Sequence, residues 1–197
     1  MITEDQRLFF PATERNRQPI WDVLAALVDE KRGPILEVAS GSGQHLAFFR
    51  AHRPGCQWQG SDPEAAHRAS IQAWNPDLPP ALNLDVRGPW PDTIWGGILA
   101  INLLHISPRQ ATRGLFQGAA AHLEPGGWLY LYGAYLRREG ANAISNLAFD
   151  QELRRQNPDW GVRCLEDVAE QARLSGLHLE SLVDMPADNF SLIFRLK

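Results

Sequence analysis

The chain has 197 residues, of which 44% are hydrophobic and 21% are charged, and its formal net charge at pH 7 is −4. This length suits one α/β domain with a substantial core and is short for two, so we expect residues 1–197 to form a single domain. The acidic balance, without any long run of Lys or Arg, disfavours a dedicated nucleic-acid-binding protein.

Cysteine usage and the N-terminus bear on location. The two cysteines, Cys56 and Cys164, are far apart, so the sequence predicts neither a disulfide framework nor a metal site. A reduced, cytoplasmic compartment fits this usage. Residues 1–7 lack a basic start followed by an apolar run, and no apolar stretch has the length needed to cross a bilayer. We therefore expect no signal peptide and no membrane contact.

Residues 1–33 are predicted to form an N-terminal cap and a helix that begins at Pro19. Proline suits the first turn of a helix, and apolar residues follow it at helical spacing. They are Ile20, Trp21, Leu24, Leu27 and Val28. The segment Lys31-Arg32-Gly33-Pro34 is expected to end this helix.

A glycine-rich turn, Ser40-Gly41-Ser42-Gly43, separates a predicted apolar strand over residues 35–39 from a predicted helix over residues 44–52. Such a turn lets backbone N–H groups approach a ligand closely, and the helix N-terminus behind it favours negative charge. The architecture is typical of proteins that bind nucleotides and their relatives.

The spacing of the turn discriminates among these ligands. A dinucleotide site requires a third glycine where this chain has Leu46, and a phosphate-binding loop requires Lys followed by Ser or Thr where it has Gln44 and His45. Glu37, followed by small residues at Ala39, Gly41 and Gly43, instead resembles the first motif of class I S-adenosylmethionine-dependent methyltransferases. Ala39 replaces the first glycine of that motif, which a residue of alanine size should tolerate. A turn of small residues in any α/β protein is the alternative.

The remaining elements alternate along the chain. We predict strands over residues 57–61, 82–86, 98–101 and 128–132, and helices over residues 63–74, after Ser107, near 146–155 and over 165–175. Ser107 is expected to cap its helix with Gln110 reaching back, and residues 125–127 are expected to form a turn. Two final strands, over residues 177–183 and 191–196, are joined by a short loop and should be antiparallel. The pattern predicts an α/β, Rossmann-like fold with a mostly parallel seven-stranded sheet, an antiparallel C-terminal strand and helices on both faces.

Ligands of such sheets bind at the carboxyl ends of the strands. Asp62 ends the second predicted strand and is assigned to the ribose hydroxyls of an adenosine; a turn aspartate before Pro63 is the alternative. Asp85 ends the third predicted strand. In methyltransferases the matching position often accepts a hydrogen bond from the adenine amine, whereas a loop-capping role would be purely structural.

Two polar residues, Asn102 and His105, follow the fourth predicted strand. A neutral imidazole could remove a proton from a nucleophile, and an asparagine could orient that nucleophile or contact the cofactor. The alternative is that His105 only packs beneath the next helix. Tyr132 and Tyr135 follow the fifth strand, where an aromatic face could stabilise sulfonium-like charge.

Several longer segments make the resemblance specific. They are residues 11–17, 36–45, 102–108, 125–127, 132–133, 145–150, 158–163 and 185–192. On these the chain resembles the uncharacterised methyltransferase-like family DUF938, also called UPF0585, which includes the methyltransferase-like protein 26 group. The resemblance implies a class I fold with S-adenosylmethionine as cofactor and S-adenosylhomocysteine as product. It implies no substrate.

Within this resemblance, further polar residues are candidate ligand contacts. Ser40 and His45 are also predicted to contact the cofactor. An arginine of Arg15-Asn16-Arg17 could pair with the methionine carboxylate of the cofactor, and we assign this role to Arg17. Residues 137–163 form a long connection that we interpret as a lid or acceptor pocket. The substrate candidates there and on the last loop are Asn146, Asp150, Trp160, Arg163 and Asn189.

The sequence thus favours an enzyme that transfers a methyl group to an unidentified small molecule, working as a monomer or homodimer. A nicotinamide-dependent oxidoreductase, a non-catalytic protein that binds the cofactor, and a methyltransferase acting on protein or RNA remain alternatives.

Overall fold

A computed structural model describes residues 6–196. Residues 1–5, which belong to the segment in which we expect no signal peptide, and residue 197 lie outside the described residues. The helices are α1 (Pro11–Leu24), α2 (Gln44–His52), α3 (Ala65–Trp74), α4 (Arg109–His122), α5 (Ile144–Gln156) and α6 (Leu165–Leu174). The strands are β1 (Ile35–Val38), β2 (Trp58–Gly60), β3 (Trp95–Ile101), β4 (Leu123–Leu136), β5 (Arg163–Cys164), β6 (Leu177–Met185) and β7 (Asn189–Leu196).

The strands form one seven-stranded sheet in the order β2-β1-β3-β4-β7-β6, and the short β5 pairs with the end of β4. Strands β1 to β4 run parallel to one another, whereas β7 is antiparallel to both β4 and β6. The predicted mostly parallel sheet with an antiparallel C-terminal strand is confirmed.

Both faces of the sheet are buried. Leu36 and Val38 pack in a cluster with α4 and α6, whereas Ile35 packs on the opposite face with α1, α2 and α3. Successive strand residues point to opposite faces, so Glu37 shares the face of Ile35. A carboxylate is therefore placed within an apolar layer, and it is only 1% exposed.

Both predicted ends of the first helix are wrong. The helix ends at Leu24, before the segment at residues 31–34 that was predicted to end it. α1 begins at Pro11, in the first turn where a missing N–H costs nothing, and Pro19 lies inside the helix. The buried positions Thr13, Ile20 and Leu24 extend one apolar side over the whole helix. The residues between Thr13 and Ile20 are mostly polar, so the sequence does not show that the apolar side of the helix begins before Ile20.

The predicted third strand, over residues 82–86, is also wrong. Only an isolated bridge between Leu82 and Ser61 forms. Asp85 accepts the backbone N–H of Arg87 at 3.0 Å and pairs with the Arg87 side chain, so a local turn replaces further pairing with the sheet. β5 is the seventh strand instead.

Two boundaries differ as well. Ser107 does not cap α4, because its hydroxyl donates to the Leu104 carbonyl at 3.1 Å in the preceding 3-10 turn, Leu104–Ile106; Pro108 stands at the cap. The predicted turn at residues 125–127 is part of β4, where Gly126, with φ 72°, adapts an irregular stretch of the strand.

Candidate functional site

The glycine turn lies between β1 and α2 and has three residues with positive φ. Ala39, Gly41 and Gly43 have φ of 53°, 56° and 84°. A Cβ at Gly43 would come 2.6 Å from the Ile71 Cα on α3, so this glycine is required for close packing of α3 against the turn. Ala39 fits by size, as predicted, but its left-handed backbone costs about 1 kcal/mol.

Glu37 lies buried beneath this turn with an unsatisfied oxygen. Burial raises the pKa of Glu37 to about 8; the Ser40 hydroxyl opposes this shift and the nearby Asp62 adds to it. Its Oε2 has no hydrogen-bond partner among residues 6–196. Such a group is suited to a cationic ligand, because a positive charge would favour the carboxylate form.

Asp62 lies where the sequence predicts, two residues after the end of β2, and its carboxylate accepts three hydrogen bonds from within residues 6–196. The donors are the N–H of Gly41 at 3.0 Å, the N–H of Glu64 at 2.9 Å and Nδ1 of His67 at 3.1 Å. A carboxylate has about four acceptor positions, so about one remains for a ligand.

An N-terminal segment, residues 8–10, covers the glycine turn. The N–H of Leu8 donates to the Ser70 hydroxyl at 2.8 Å, and that of Phe10 donates to Oε1 of Gln44 at 2.7 Å. The Phe10 ring lies 3.1 Å from the position of a Cβ on Gly41 and packs edge-on against His67. Phe10 thus forms an aromatic roof over the turn and Asp62.

A crevice of about 640 Å³ opens at the carboxyl ends of β3 and β4. α1, α5 and the β6–β7 loop close its sides. The polar residues that line it are Arg15, Asn16, Asn102, His105, Tyr132, Ser145, Asn146 and Asn189. The structure therefore brings together five of the predicted catalytic and substrate residues: Asn102, His105, Tyr132, Asn146 and Asn189.

His105 is a neutral base in this crevice. Burial lowers its pKa to about 4, with a further contribution from Arg163. The ring packs edge-on against Phe149, and a Cβ at Gly133 would lie 3.3 Å from its Nδ1, so Gly133 leaves room for it. Neither its side chain nor that of Asn102 makes a hydrogen bond within the described part of the chain. Asn102 has a φ of 60°, a strained value that is often found at functional sites.

Three predicted substrate residues lie behind the crevice rather than in it. Arg163 donates to the carbonyls of Gly161 and Ser107, and Asp150 accepts the Val162 N–H at 2.8 Å. Trp160 packs against the apolar cluster beside them. The Gly161 N–H also donates to the His105 carbonyl at 3.0 Å. These residues therefore hold in place the segment at residues 102–108, here called the His105 loop.

Four other predicted residues lie outside the crevice, and three of them have protein partners. Arg17 pairs with Glu14 and lies over the Phe48 ring, and the side chain of Asp85 is paired with Arg87, which lowers the pKa of Asp85. Neither lines the crevice.

Nε2 of His45 donates to Asn16 at 2.8 Å, and burial, helped by Arg17, lowers the His45 pKa to about 3. Tyr135 lies beneath a separate cavity of about 340 Å³ near the β6–β7 loop, where burial raises its pKa.

Sequence reasoning missed three residues of the site. Phe10 roofs the turn, Phe149 packs on His105, and Arg15, rather than Arg17, lines the crevice. Arg15 and Phe149 lie within segments that carry the family resemblance, so those segments held the signal.

Solved structures with a similar fold are methyltransferases. The mitomycin 7-O-methyltransferase MmcR superposes with a TM-score of 0.77 at 17% identity, covering 93% of this chain and 54% of that one. Human N-acetylserotonin methyltransferase in complex with SAM gives 0.71 at 13% identity, covering 98% and 56%. This chain thus spans about half the length of these two relatives.

A putative methyltransferase solved in a complex with the Trm112 methyltransferase activator of Haloferax volcanii gives 0.74 at 17% identity, covering 93% and 91%. At these identities the likeness shows the fold, which is the Rossmann-like fold of class I methyltransferases. None of the helices within residues 6–196 combines the length and the apolar character that crossing a membrane requires. The family described as "Protein of unknown function (DUF938)" matches residues 7–196, and the chain belongs to that family.

Proposed function

We propose that the chain is an S-adenosylmethionine-dependent methyltransferase that acts on a small molecule. The observation that carries the proposal is the buried Glu37 carboxyl, whose unpartnered oxygen lies beneath the glycine turn. A buried carboxyl without a partner is costly, and a cationic ligand beside the turn would compensate it. The methyltransferase fold of the chain supports this assignment.

The residues present fit this cofactor. Glu37 would hold a cationic group, and the remaining acceptor position on Asp62 would hold a ribose hydroxyl. Arg15, which lines the crevice and has no ion pair within residues 6–196, would hold the carboxylate. Phe10 would cover the adenosine. When bound, the cofactor supplies a methyl group on a positively charged sulfur, which a nucleophile takes by in-line displacement.

The chain contributes a base and alignment. His105 is neutral at pH 7 and can accept the proton of a weakly acidic O–H or N–H, although its lowered pKa makes it a weaker base than a free imidazole. Asn102 can orient the group that loses the proton. Phe149, which packs against His105, excludes water from one side of the imidazole. A thiolate acceptor would need no base. Holding the two reactants aligned in such a crevice supplies most of the rate enhancement.

The crevice favours a small acceptor. Its volume of about 640 Å³ lies within the usual range of small-molecule sites. We also propose a reducing, cytoplasmic compartment, which agrees with the free thiols of Cys56 and Cys164.

Calorimetry with S-adenosylmethionine, S-adenosylhomocysteine and NAD tests the proposal. The first two should bind and NAD should not, because Leu46 stands where a dinucleotide site has glycine. Asp62→Ala should weaken binding by about 1–3 kcal/mol through loss of charge-assisted hydrogen bonds. Asp92→Ala, at an exposed aspartate outside the turn, is the matched control.

A proton count gives a readout independent of activity. Glu37 is mostly protonated at pH 7 in the free protein, and a cation beside it would favour ionisation, so binding should release about one proton. Titrations in buffers of different ionisation enthalpy measure this release, and Glu37→Gln should abolish it. Unchanged affinity in Asp62→Ala, with no proton release, would contradict the proposed site. Transfer of labelled methyl groups into a metabolite extract would then separate an enzyme from a non-catalytic binding protein.

A further inference from the structure

A second groove lies on the other side of the His105 loop. It has a volume of about 920 Å³ and lies between α4, the end of α5, β5 and α6. None of the residues that line it also lines the crevice. The methyltransferase site therefore does not account for it.

A buried positive charge forms part of the groove wall. Arg163 is 6% exposed and makes no ion pair within residues 6–196; its Nη atoms donate only to the carbonyls of Gly161 and Ser107, and its Nε has no partner. Burying a guanidinium without a carboxylate costs free energy.

The neighbours of Arg163 increase this cost. Burial, together with the positive charges of Arg109 and Arg154, lowers the pKa of Arg163 to about 10. Asp150 offsets this only in part, because its carboxylate also binds Arg154 and the Val162 N–H.

A second polar group that lines the groove is unsatisfied. Thr112 on α4 is 7% exposed, and its hydroxyl has no hydrogen-bond partner in the described structure. Buried polar groups are normally paired, so two unpaired groups among the residues that line one groove indicate a place that an ion or ordered water completes.

The rim of the groove is positively charged. Arg109 and Arg113 are exposed, and neither makes an ion pair among residues 6–196. The carboxylates of the groove already have partners. Asp167 pairs with Arg138, and Glu170 pairs with Arg173. Glu166 accepts hydrogen bonds from the Cys164 thiol at 2.8 Å and from the Arg138 N–H. Arg109 also begins α4, whose N-terminal dipole attracts negative charge.

We propose that this groove binds a small oxyanion, a phosphate or carboxylate group, between the Arg109 and Arg113 guanidinium groups and above Arg163. Guanidinium groups bind both anions in a bidentate manner. An anion there would compensate the buried charge of Arg163, and the attraction is strong because water is partly excluded. The volume leaves room for a ligand larger than the oxyanion itself.

Titration with inorganic pyrophosphate and with succinate, at constant ionic strength set with NaCl, tests the proposal. Wild type should bind at least one of them. Tighter binding of pyrophosphate would identify the ligand group as a phosphate, and tighter binding of succinate would identify it as a carboxylate. Arg109→Gln/Arg113→Gln should weaken that binding at least tenfold. The control Arg50→Gln/Arg155→Gln removes the same charge outside the groove and should change it less than twofold.

A second measurement, on the wild-type protein, follows the buried group directly and uses a variant only for assignment. The Arg163 Nε–H is shielded from solvent and should give a slowly exchanging ¹⁵N resonance, assigned with Arg163→Lys, that shifts on addition of the anion. No binding by wild type at matched ionic strength, or equal binding by both double variants, would overturn the proposal. Because cofactor binding plays no part in these assays, their failure leaves the proposed methyltransferase function untouched.

Discussion

The glycine turn and the crevice meet at one edge of the sheet but differ in how their polar groups are used. At the turn, Asp62 accepts three hydrogen bonds from the chain itself. In the crevice, the side chains of Asn102 and His105 make none within residues 6–196, although His105 is buried. The turn is thus a preorganised platform, whereas in the crevice Asn102 and His105 keep their hydrogen-bonding capacity for a ligand, although Asn146 and Asn189 beside them donate to backbone carbonyls. Glu37 is the exception at the turn, and the largest predicted effect concerns it.

Glu37→Gln should change the pH dependence of stability most. The pKa of Glu37 is raised in the folded state, so its contribution is fully present below its unfolded value of about 4.5 and is lost as the pH rises through about 8. Between pH 5 and 8.5 wild type should lose roughly 4 kcal/mol more than the variant, measured by urea unfolding. Glu139→Gln, at an exposed site, is the control. Parallel profiles for wild type and Glu37→Gln would show that Glu37 is not a buried, unpaired carboxyl.

The acid side of the same profile is set by histidines. The pKa values of His45 and His105 are lowered, to about 3 and about 4, so their contribution is present above the unfolded value near 6.5 and is lost as the pH falls through those values. Below pH 6.5, acidification removes more stability through the two histidines than it adds through Glu37. Above pH 6.5, Glu37 is the one of these three groups that changes the stability. Among these three groups, wild-type stability should therefore be greatest near pH 6.5.

Gly43→Ala tests whether the turn is as rigid as its packing implies. A Cβ would come 2.6 Å from the Ile71 backbone at a φ of 84°, so we expect a loss of about 2–4 kcal/mol in the free energy of unfolding. Gly140→Ala is a matched control, because its φ is 90° but nothing lies within 4 Å of the added methyl. It should cost about 1 kcal/mol. Equal losses of stability in Gly43→Ala and Gly140→Ala would mean that α3 can move away from the turn to accommodate the added methyl group.

The same contrast explains what the sequence could predict. The turn is contiguous, so its glycines and the carboxylate one strand later could be placed from spacing alone. The strand predicted at residues 82–86 failed because the Asp85–Arg87 pair forms a local turn that competes with sheet pairing. The alternation of apolar residues carries no information about such a pair.

The crevice is assembled from distant segments, and there prediction succeeded only in part. Asn102 and His105 follow a strand end and were placed, whereas Arg15 comes from a helix whose start was misassigned. Arg163 and Asp150 are polar residues of a long connection, and such residues can serve either a ligand or the backbone. Here they bind backbone groups, which only the folded chain reveals.

Phe10→Ala tests whether the roof over the turn contributes to cofactor binding. Loss of the aromatic ring should weaken S-adenosylmethionine binding by about 1 kcal/mol, roughly fivefold, as measured by calorimetry. Phe9→Ala is the control, since Phe9 is the more exposed of the two and makes no ring contact within residues 6–196. Tighter binding by Phe10→Ala would show instead that the ring blocks the site and must leave before the ligand enters.

Ala39→Gly should have the smallest effect and the opposite sign. Ala39 adopts a φ of 53°, which glycine reaches without strain, but glycine also loses more conformational entropy on folding. The two terms nearly cancel, so we expect a gain of about 0.5 kcal/mol in the free energy of unfolding. Ala25→Gly, at an ordinary helical φ of −56°, carries only the entropic cost and should lose up to about 1 kcal/mol. A loss at both positions would mean that the turn imposes no strain on Ala39, and that alanine is as well suited to this motif as glycine.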